Sequence, residues 1–361
     1  MPSQAIYEVT VAYGLEKVAA QEVRSRLGKQ LRFNRHPDEE AGSGALQFRL
    51  PGDPNRTSQR LLSLNTIQNV FLVCQFGVTR PNALLDGRNL AIIEQHIKTA
   101  MRLSPRGRYT TFGISAAGSE SNVMQRLRNQ LGQQLGLCYE ADDVDLALRI
   151  RPIRLPHKAM ETGWEVLIRL TPRPLSARAW RVSDMKGALN APVAHCMVRL
   201  TRPQPKDKFL NLACGSGTLL IERVIATHAN RVIGCDINPD ALEHARQNLA
   251  ASQLSNIIEL HNWDARSLNL PDASIDALCS DLPFGIAIGS HEDNVSLYPD
   301  LLTEAARVAK PNARFVLITQ EINLIQEAIE NSEAWKLMEE LKVNLRGLNP
   351  RIFVLERNRL R

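Results

Sequence analysis

The spacing of apolar positions changes repeatedly along the chain, and each change predicts an element. Residues 7–11 read as a strand, and after Gly14 the residues Leu15, Val18, Ala19, Val23 and Leu27 recur at helical spacing until Gly28. Leu46, Phe48 and Leu50 alternate with Gln47 and Arg49, the pattern of a half-buried strand. A second helix near 57–64 and a strand at 69–78 complete a small α+β unit. From Leu90 a helical face of Leu90, Ile93, Ile97 and Met101 leads into a strand at 108–116. Ser121 is the expected N-cap of a helix whose inner face is Val123, Met124, Leu127, Leu131 and Leu135. Two alternating runs follow, Val144, Leu146, Leu148, Ile150 and Trp164, Val166, Ile168, Leu170; they predict strands of a sheet covered on one side.

Residues 171–190 are rich in Pro, Arg and Ser and read as a linker, with a boundary near residue 180. Beyond it, short apolar strands at 209–212, 231–235, 257–260, 275–280 and 314–319 alternate with helical patterns, which predicts a mostly parallel, doubly wound sheet. Runs at 335–344 and 351–356 flank Arg346-Gly347-Leu348-Asn349-Pro350 and suggest an antiparallel hairpin at the sheet edge.

At 361 residues the chain is expected to hold two or three domains, with 44% apolar and 23% charged residues. No apolar run approaches the roughly 18 residues that span a bilayer, and the N-terminus reads as a strand rather than a leader, so a soluble cytosolic protein is expected. The six cysteines show no CxxC spacing, which argues for reduced thiols, no disulfide framework and no metal site. Charge is asymmetric: residues 1–180 hold 24 Lys and Arg against 16 Asp and Glu, and residues 181–361 hold 20 against 22. A basic module beside a near-neutral one suits a polyanionic partner such as nucleic acid.

Lys208-Phe-Leu-Asn-Leu-Ala-Cys-Gly-Ser-Gly-Thr218 reads as a strand, a Gly-Ser-Gly turn and a helix from 219 to 228, and small residues there let a ligand approach the backbone. Asp236, 19 positions after Gly217, ends the next strand, where its carboxylate can accept from both hydroxyls of a ribose. This fits a dinucleotide and an adenosyl cofactor alike. Leu220 occupies the place where a dinucleotide fingerprint wants its third glycine. Trp263-Asp264-Ala265 and Asp281-Leu282-Pro283-Phe284-Gly285 follow the third and fourth strands, so four candidate segments lie at carboxyl ends of adjacent parallel strands. An exocyclic amine on a base is a poor nucleophile because its lone pair is delocalised. A carboxylate at 281 and a fixed backbone carbonyl would orient that lone pair toward a methyl sulfonium, and an aromatic ring at 284 offers a stacking face.

Asn211-Leu-Ala-Cys-Gly-Ser-Gly-Thr, Gly234-Cys-Asp-Ile-Asn-Pro-Asp-Ala and Asp281-Leu-Pro-Phe-Gly resemble three successive motifs of the THUMP-domain tRNA guanine-N2 methyltransferases, and Leu175-Ser-Ala-Arg-Ala-Trp-Arg with Ala188-Leu-Asn-Ala-Pro resembles their linker and cofactor-capping helix. The resemblance implies an α/β fold: a Rossmann-like methyltransferase domain (191–361), with a parallel doubly wound sheet and an antiparallel edge hairpin. A ferredoxin-like domain (1–65), a THUMP RNA-binding domain (66–172) and a linker (173–190) would precede it. It implies S-adenosylmethionine as cofactor, held by Asn190, Asn211, Ala213, Cys214, Gly215, Ser216, Gly217, Asp236, Ile237, Asp264, Ala265 and Asp281. Asp281 and the Leu282–Pro283 backbone would hold the guanine amine and Phe284 would stack on the base. Arg126, Arg128, Arg149, Arg151, Arg169, Arg178 and Arg181 would meet tRNA, and the product would be N2-methylguanosine near position 6 of the acceptor stem, made by a cytoplasmic monomer.

Two positions depart from the family pattern. Asn211 stands where Asp is common and Leu282 where a second proline is common, which keeps a weakened, RNA-binding paralogue as a rival. Retention of Asp236 and Asp281 argues against that rival. Methylation of another exocyclic amine, adenine N6, is the rival in chemistry, since an acidic-x-Pro-aromatic turn serves both.

Overall fold

The computed structural model describes residues 4–28, 30–35, 37, 42–104, 108–154, 162–285, 289–345 and 347–359. The chain divides into two compact units, Met1–Val11 with Ala20–Leu175, and Ala12–Ala19 with Ser176–Arg361.

The first unit contains β1 (Gln4–Thr10), most of α1 (Glu16–Leu27), β2 (Arg32–Phe33), β3 (Ala45–Pro51), α2 (Pro54–Leu61), β4 (Asn69–Phe76), α3 (Gly87–Met101), β5 (Thr111–Ala116), α4 (Asn122–Leu135), β6 (Cys138–Tyr139), β7 (Leu146–Arg154) and β8 (Thr162–Arg169). Among the described residues its strands form one eight-stranded sheet in the order β2-β3-β1-β4-β8-β7-β5-β6. The two α+β segments expected from the sequence thus share a sheet, because β4 pairs with β1 on one side and β8 on the other. Alternation was a sound guide: Leu46, Phe48 and Leu50 of β3 are buried, as are Leu146, Leu148 and Ile150 of β7. Ser121 does occupy the N-cap position of α4, and Gly136 ends that helix in the left-handed region at φ +67°. The two-residue strands β2 and β6 are too short to carry a period, and the sequence did not reveal them.

The second unit contains α5 (Ala191–Leu200), β9 (Lys208–Leu212), α6 (Thr218–Ala226), β10 (Arg231–Cys235), α7 (Pro239–Ala251), β11 (Ile258–His261), β12 (Ile275–Asp281), α8 (His291–Val308), β13 (Ala309–Thr319), α9 (Ile322–Glu330), β14 (Trp335–Lys342) and β15 (Arg351–Arg357). Among the described residues these strands form a seven-stranded sheet ordered β11-β10-β9-β12-β13-β15-β14. The first five pair in parallel, whereas β15 runs antiparallel to both β13 and β14, which is the expected edge hairpin. Arg346 of its turn lies outside the described residues. Successive strand residues feed opposite cores: Phe209, Val232, Cys279 and Val316 pack with α5, α6 and α7, and Leu210, Ile233, Leu278 and Phe315 pack with α8 and α9. From β9 the chain adds β10 and β11 on one side before crossing to β12 on the other. The carboxyl ends of β9 and β12 therefore flank the switch point at which open α/β sheets bind ligands.

Candidate active site

The turn after β9 is built on backbone conformations that L side chains rarely adopt. Ala213 (φ +49°), Gly215 (φ +52°) and Gly217 (φ +81°) all lie at positive φ, and Gly217 caps α6. A Cβ on Gly217 would meet Leu249 at 3.2 Å and Ala245 at 3.3 Å, so its absence lets α7 close on the turn. Upstream, Asn211 is fully buried and its Nδ2 donates to the carbonyls of Leu212 (3.1 Å) and Cys279 (3.2 Å). Its Oδ1 is buried without a partner, as is Oδ1 of Asn190 at the N-cap of α5. These orphaned acceptors suit a ligand that carries donors. Cys214 is buried, and that burial pushes its thiol well above the usual range, so it is a neutral wall rather than a nucleophile.

Asp236 is held from two sides: Gly215 N–H donates to Oδ2 and Asn238 N–H to Oδ1, each at 2.9 Å. Two fixed backbone donors orient the carboxylate and leave its remaining lone pairs for a ligand's hydroxyls. Ile237, next in the chain, is 65% exposed, an apolar face without a covering group. Asn262 secures this loop by donating to the carbonyls of Asp236 and Ile237, both at 2.9 Å. Asp264 is bound by Arg266, with Nη2 at 2.7 Å, and that pairing holds its carboxyl below the usual carboxylate range. Ala265 beside it is half-buried.

Asp281 closes β12. Burial raises its carboxyl to about 7, and among the described residues nothing donates a hydrogen bond to it. The turn that follows is anchored from α8 and β13. Leu282 N–H donates to the Ile318 carbonyl (3.1 Å), and the Pro283 carbonyl accepts from Asn294 Nδ2 (3.0 Å) and Tyr298 OH (2.6 Å). Tyr298 is also 2.7 Å from Thr319 Oγ1. Because both side chains occupy the Pro283 carbonyl, of the two expected carbonyls only that of Leu282 remains for an amine. Phe284 is partly buried against the core beneath.

A segment that sequence reasoning read only as linker lies over the glycine turn. Asn248 of α7, fully buried, accepts from Val182 N–H and Ser183 N–H and donates to the carbonyls of Ser183 and Ser216. Met185 lies 3.6 Å from where a Cβ on Gly215 would stand. No motif marks Asn248, Asn294 or Tyr298, since their partners are 11 to 66 residues away.

The arginines expected to meet RNA divide into two groups. Arg126 is exposed and borders a cleft of about 670 Å³ that Arg80, Asn82 and Asp86 also line, and Arg149 is exposed with its guanidinium 4.8 Å above the Phe71 ring. The others are held by partners within the fold. Arg169 donates to the carbonyls of Val144, Thr171 and Pro172, and Arg151 bridges the buried Glu8 and Glu165. Arg128 binds Ser119 and Glu120, Arg178 pairs with the fully buried Glu222 at 2.8 Å, and Arg181 donates to Leu189 O and Thr218 Oγ1. Formal charge did not distinguish them because it counts a guanidinium held by internal carboxylates and carbonyls the same as one left at the surface.

Comparison with known proteins agrees with this architecture. A tRNA (guanine(6)-N(2))-methyltransferase THUMP3 of Mus musculus is 32% identical over 183 residues, 47% of this chain and 36% of that protein, so the matched region spans about a third of the relative's length. A tRNA (guanine(6)-N2)-methyltransferase of Methanocaldococcus jannaschii is 24% identical over 97% of this chain and 99% of its own. The crystal structure of TrmN from Thermus thermophilus superposes with a TM-score of 0.73 at 24% identity, covering 98% of this chain and 99% of that one, which establishes the shared fold. No helix among the described residues is long and apolar enough to cross a membrane. Residues 178–351 match the family model UPF0020, described as an RMKL-like methyltransferase domain.

Proposed function

We propose that the chain is a cytoplasmic, monomeric tRNA methyltransferase that uses S-adenosylmethionine to form N2-methylguanosine at position 6 of the acceptor stem. The observation that carries the reading is Asp281, a carboxyl to which nothing among the described residues donates, at the switch point on a turn immobilised by Asn294 and Tyr298. In this reading residues 1–65 and 66–172 are the ferredoxin-like and THUMP domains, 173–190 the linker and 191–361 the catalytic domain. Relatives named as guanine(6)-N2 methyltransferases support the substrate.

The residues present suit the cofactor. Asp236 would hold the ribose, Ile237 and Ala265 the adenine, and the orphaned Oδ1 atoms of Asn190 and Asn211 the amino group. Asn211 at this place is a working substitute for the family's aspartate: two carbonyls fix its Nδ2, and a carboxylate facing them would be repelled. The bound cofactor supplies an electrophilic methyl group on a sulfonium. The chain's part is to bind and orient the amine. Ionised Asp281 and the Leu282 carbonyl accept its two N–H bonds, which turns the lone pair out of the ring plane, and Asp281 then stabilises the positive charge that builds on nitrogen and takes the proton released.

The test is nucleoside mass spectrometry of tRNA incubated with the full chain and methyl-labelled cofactor. Labelled N2-methylguanosine at position 6 is expected; label on adenine, or none on any tRNA, would refute the assignment.

A further inference from the structure

A second carboxylate stands beside the amine-binding turn. Glu321 follows the carboxyl end of β13, the strand that pairs Ile318 with Asp281, and its Oε1 lies 2.6 Å from where a Cβ on Gly285 would stand. Gly285, at φ +69°, thereby lets the Asp281–Gly285 turn and Glu321 come into contact. Both Asp281 and Glu321 lie close enough to Tyr298 to act on its hydroxyl by charge. The Glu321 side chain is 18% exposed, and the partner shown for its carboxylate is His291, at 3.0 Å and itself 62% exposed. Its backbone is fixed, since Glu321 N–H donates to Thr319 Oγ1 at 3.0 Å.

Two buried acceptors near the turn have no donor among the described residues. Asn294 is fully buried and gives its Nδ2 to Pro283, leaving Oδ1 unpartnered. Gln320 Oε1, adjacent to Glu321, is likewise buried and unpartnered. The two carboxylates at the turn, Asp281 and Glu321, suit a ligand edge made of donors. Guanine presents such an edge, N1–H beside the N2 amine. Adenine places an unprotonated N1 acceptor beside its N6 amine, and a carboxylate there would repel it.

We propose that Glu321 is a specificity-determining residue that accepts N1–H of the target base, so that the site takes guanine and rejects a purine with a bare N1. This deepens the proposed function and rests on it. His291, the exposed partner of Glu321, is the group that the base displaces.

The experiment is single-turnover methyl transfer by the full chain to tRNA transcripts with guanine or 2,6-diaminopurine at the modified position, the product read as the N2-methylated nucleoside. Diaminopurine keeps the N2 amine and loses the N1 donor. The wild type is expected to prefer guanine by roughly a hundredfold or more, since a site built to pair with a donor rejects the analogue that lacks it. Glu321→Gln should slow guanine and reduce the preference to below about tenfold, because the amide offers a donor to bare N1. His291→Ala should keep the preference, and both variants should keep cofactor affinity and Tm. A Glu321→Gln enzyme that is slower but equally selective would show a structural role and overturn the proposal, as would a wild type that methylates both bases alike or a collapse of preference in His291→Ala alone. A wild type that makes no N2-methylguanosine refutes the parent reading, and this inference falls with it.

Discussion

Leu220 of α6 lies directly over Gly234 of β10: a Cβ on Gly234 would stand 2.4 Å from Leu220 Cδ1. In a dinucleotide site the helix contributes the glycine that lets helix and strand close; here the strand contributes it and the helix supplies a fully buried leucine. Gly234→Ala should therefore overpack this contact and destabilise the protein by about 1–3 kcal/mol, measured by denaturant unfolding. An unchanged midpoint would show that Leu220 moves aside freely.

Asp236→Asn keeps the side chain's shape but replaces one acceptor oxygen with a donor that faces either an amide N–H or a ribose hydroxyl. S-adenosylmethionine affinity should fall roughly ten- to a hundredfold, as expected for losing a charged hydrogen bond worth about 1.5–3 kcal/mol. Titration calorimetry measures this directly, and wild-type affinity would remove Asp236 from the cofactor site.

Asp281 makes the rate pH-dependent. Burial raises its carboxyl to about 7, and only the ionised form can both accept the amine N–H and take its proton. The single-turnover rate should fall roughly tenfold per pH unit below that value and level off above it. Stability changes in the opposite sense. A folded-state pKa raised by burial means that the native state prefers the protonated acid, so this stabilisation is present below the unfolded value near 4 and is lost as pH rises through about 7. Asp281→Asn should accordingly raise Tm at pH 8, leave it unchanged at pH 4, and abolish transfer at both.

Asn248 joins the 182–183 segment to Ser216 of the glycine turn through four hydrogen bonds. Asn248→Ala leaves Ser183 N–H and the Ser183 and Ser216 carbonyls without this partner, while Val182 N–H keeps the Trp180 carbonyl; an unsatisfied polar group costs about 1–3 kcal/mol where it is buried. Tm should drop and cofactor affinity should weaken together, and Asn248→Asp should recover little because a carboxylate cannot donate to the two carbonyls. Thermal unfolding with and without cofactor separates the two effects.

For tRNA, charge reversal at Arg126 or Arg149 should weaken binding and flatten its salt dependence by about one unit of log–log slope per contact, with Tm intact. Arg169→Glu should instead lower Tm, since it breaks hydrogen bonds to the carbonyls of Val144, Thr171 and Pro172. Equal effects of all three on salt slope and none on stability would contradict the division drawn between them.

Most of what depends on near neighbours in the chain was legible. The period-2 and period-3.6 patterns located the strands and helices, because each buries one face and the backbone repeat decides which residues share it. The Gly-Ser-Gly turn and Asp236 were legible for a similar reason: backbone geometry at the end of a strand requires particular residue types within a few positions. The two-residue strands, the sharing of one sheet by two α+β segments, and the fate of each arginine were not. They depend on partners such as Glu8 for Arg151, 143 residues away, whose approach no local pattern encodes.

The sequence by itself determined an α/β chain with a glycine-turn site, an acidic ribose holder and an Asp-Leu-Pro-Phe turn at adjacent strand ends. Only the tertiary structure decided what those groups are free to do. It left Asp281 without a donor among the described residues and raised its carboxyl to about 7, paired Asp264 with Arg266, turned Asn211 so that its oxygen is the orphan, and brought Glu321 against Gly285. The physical reason is that proton affinity and hydrogen-bonding capacity belong to a side chain's surroundings, and those surroundings are assembled from segments far apart in the chain.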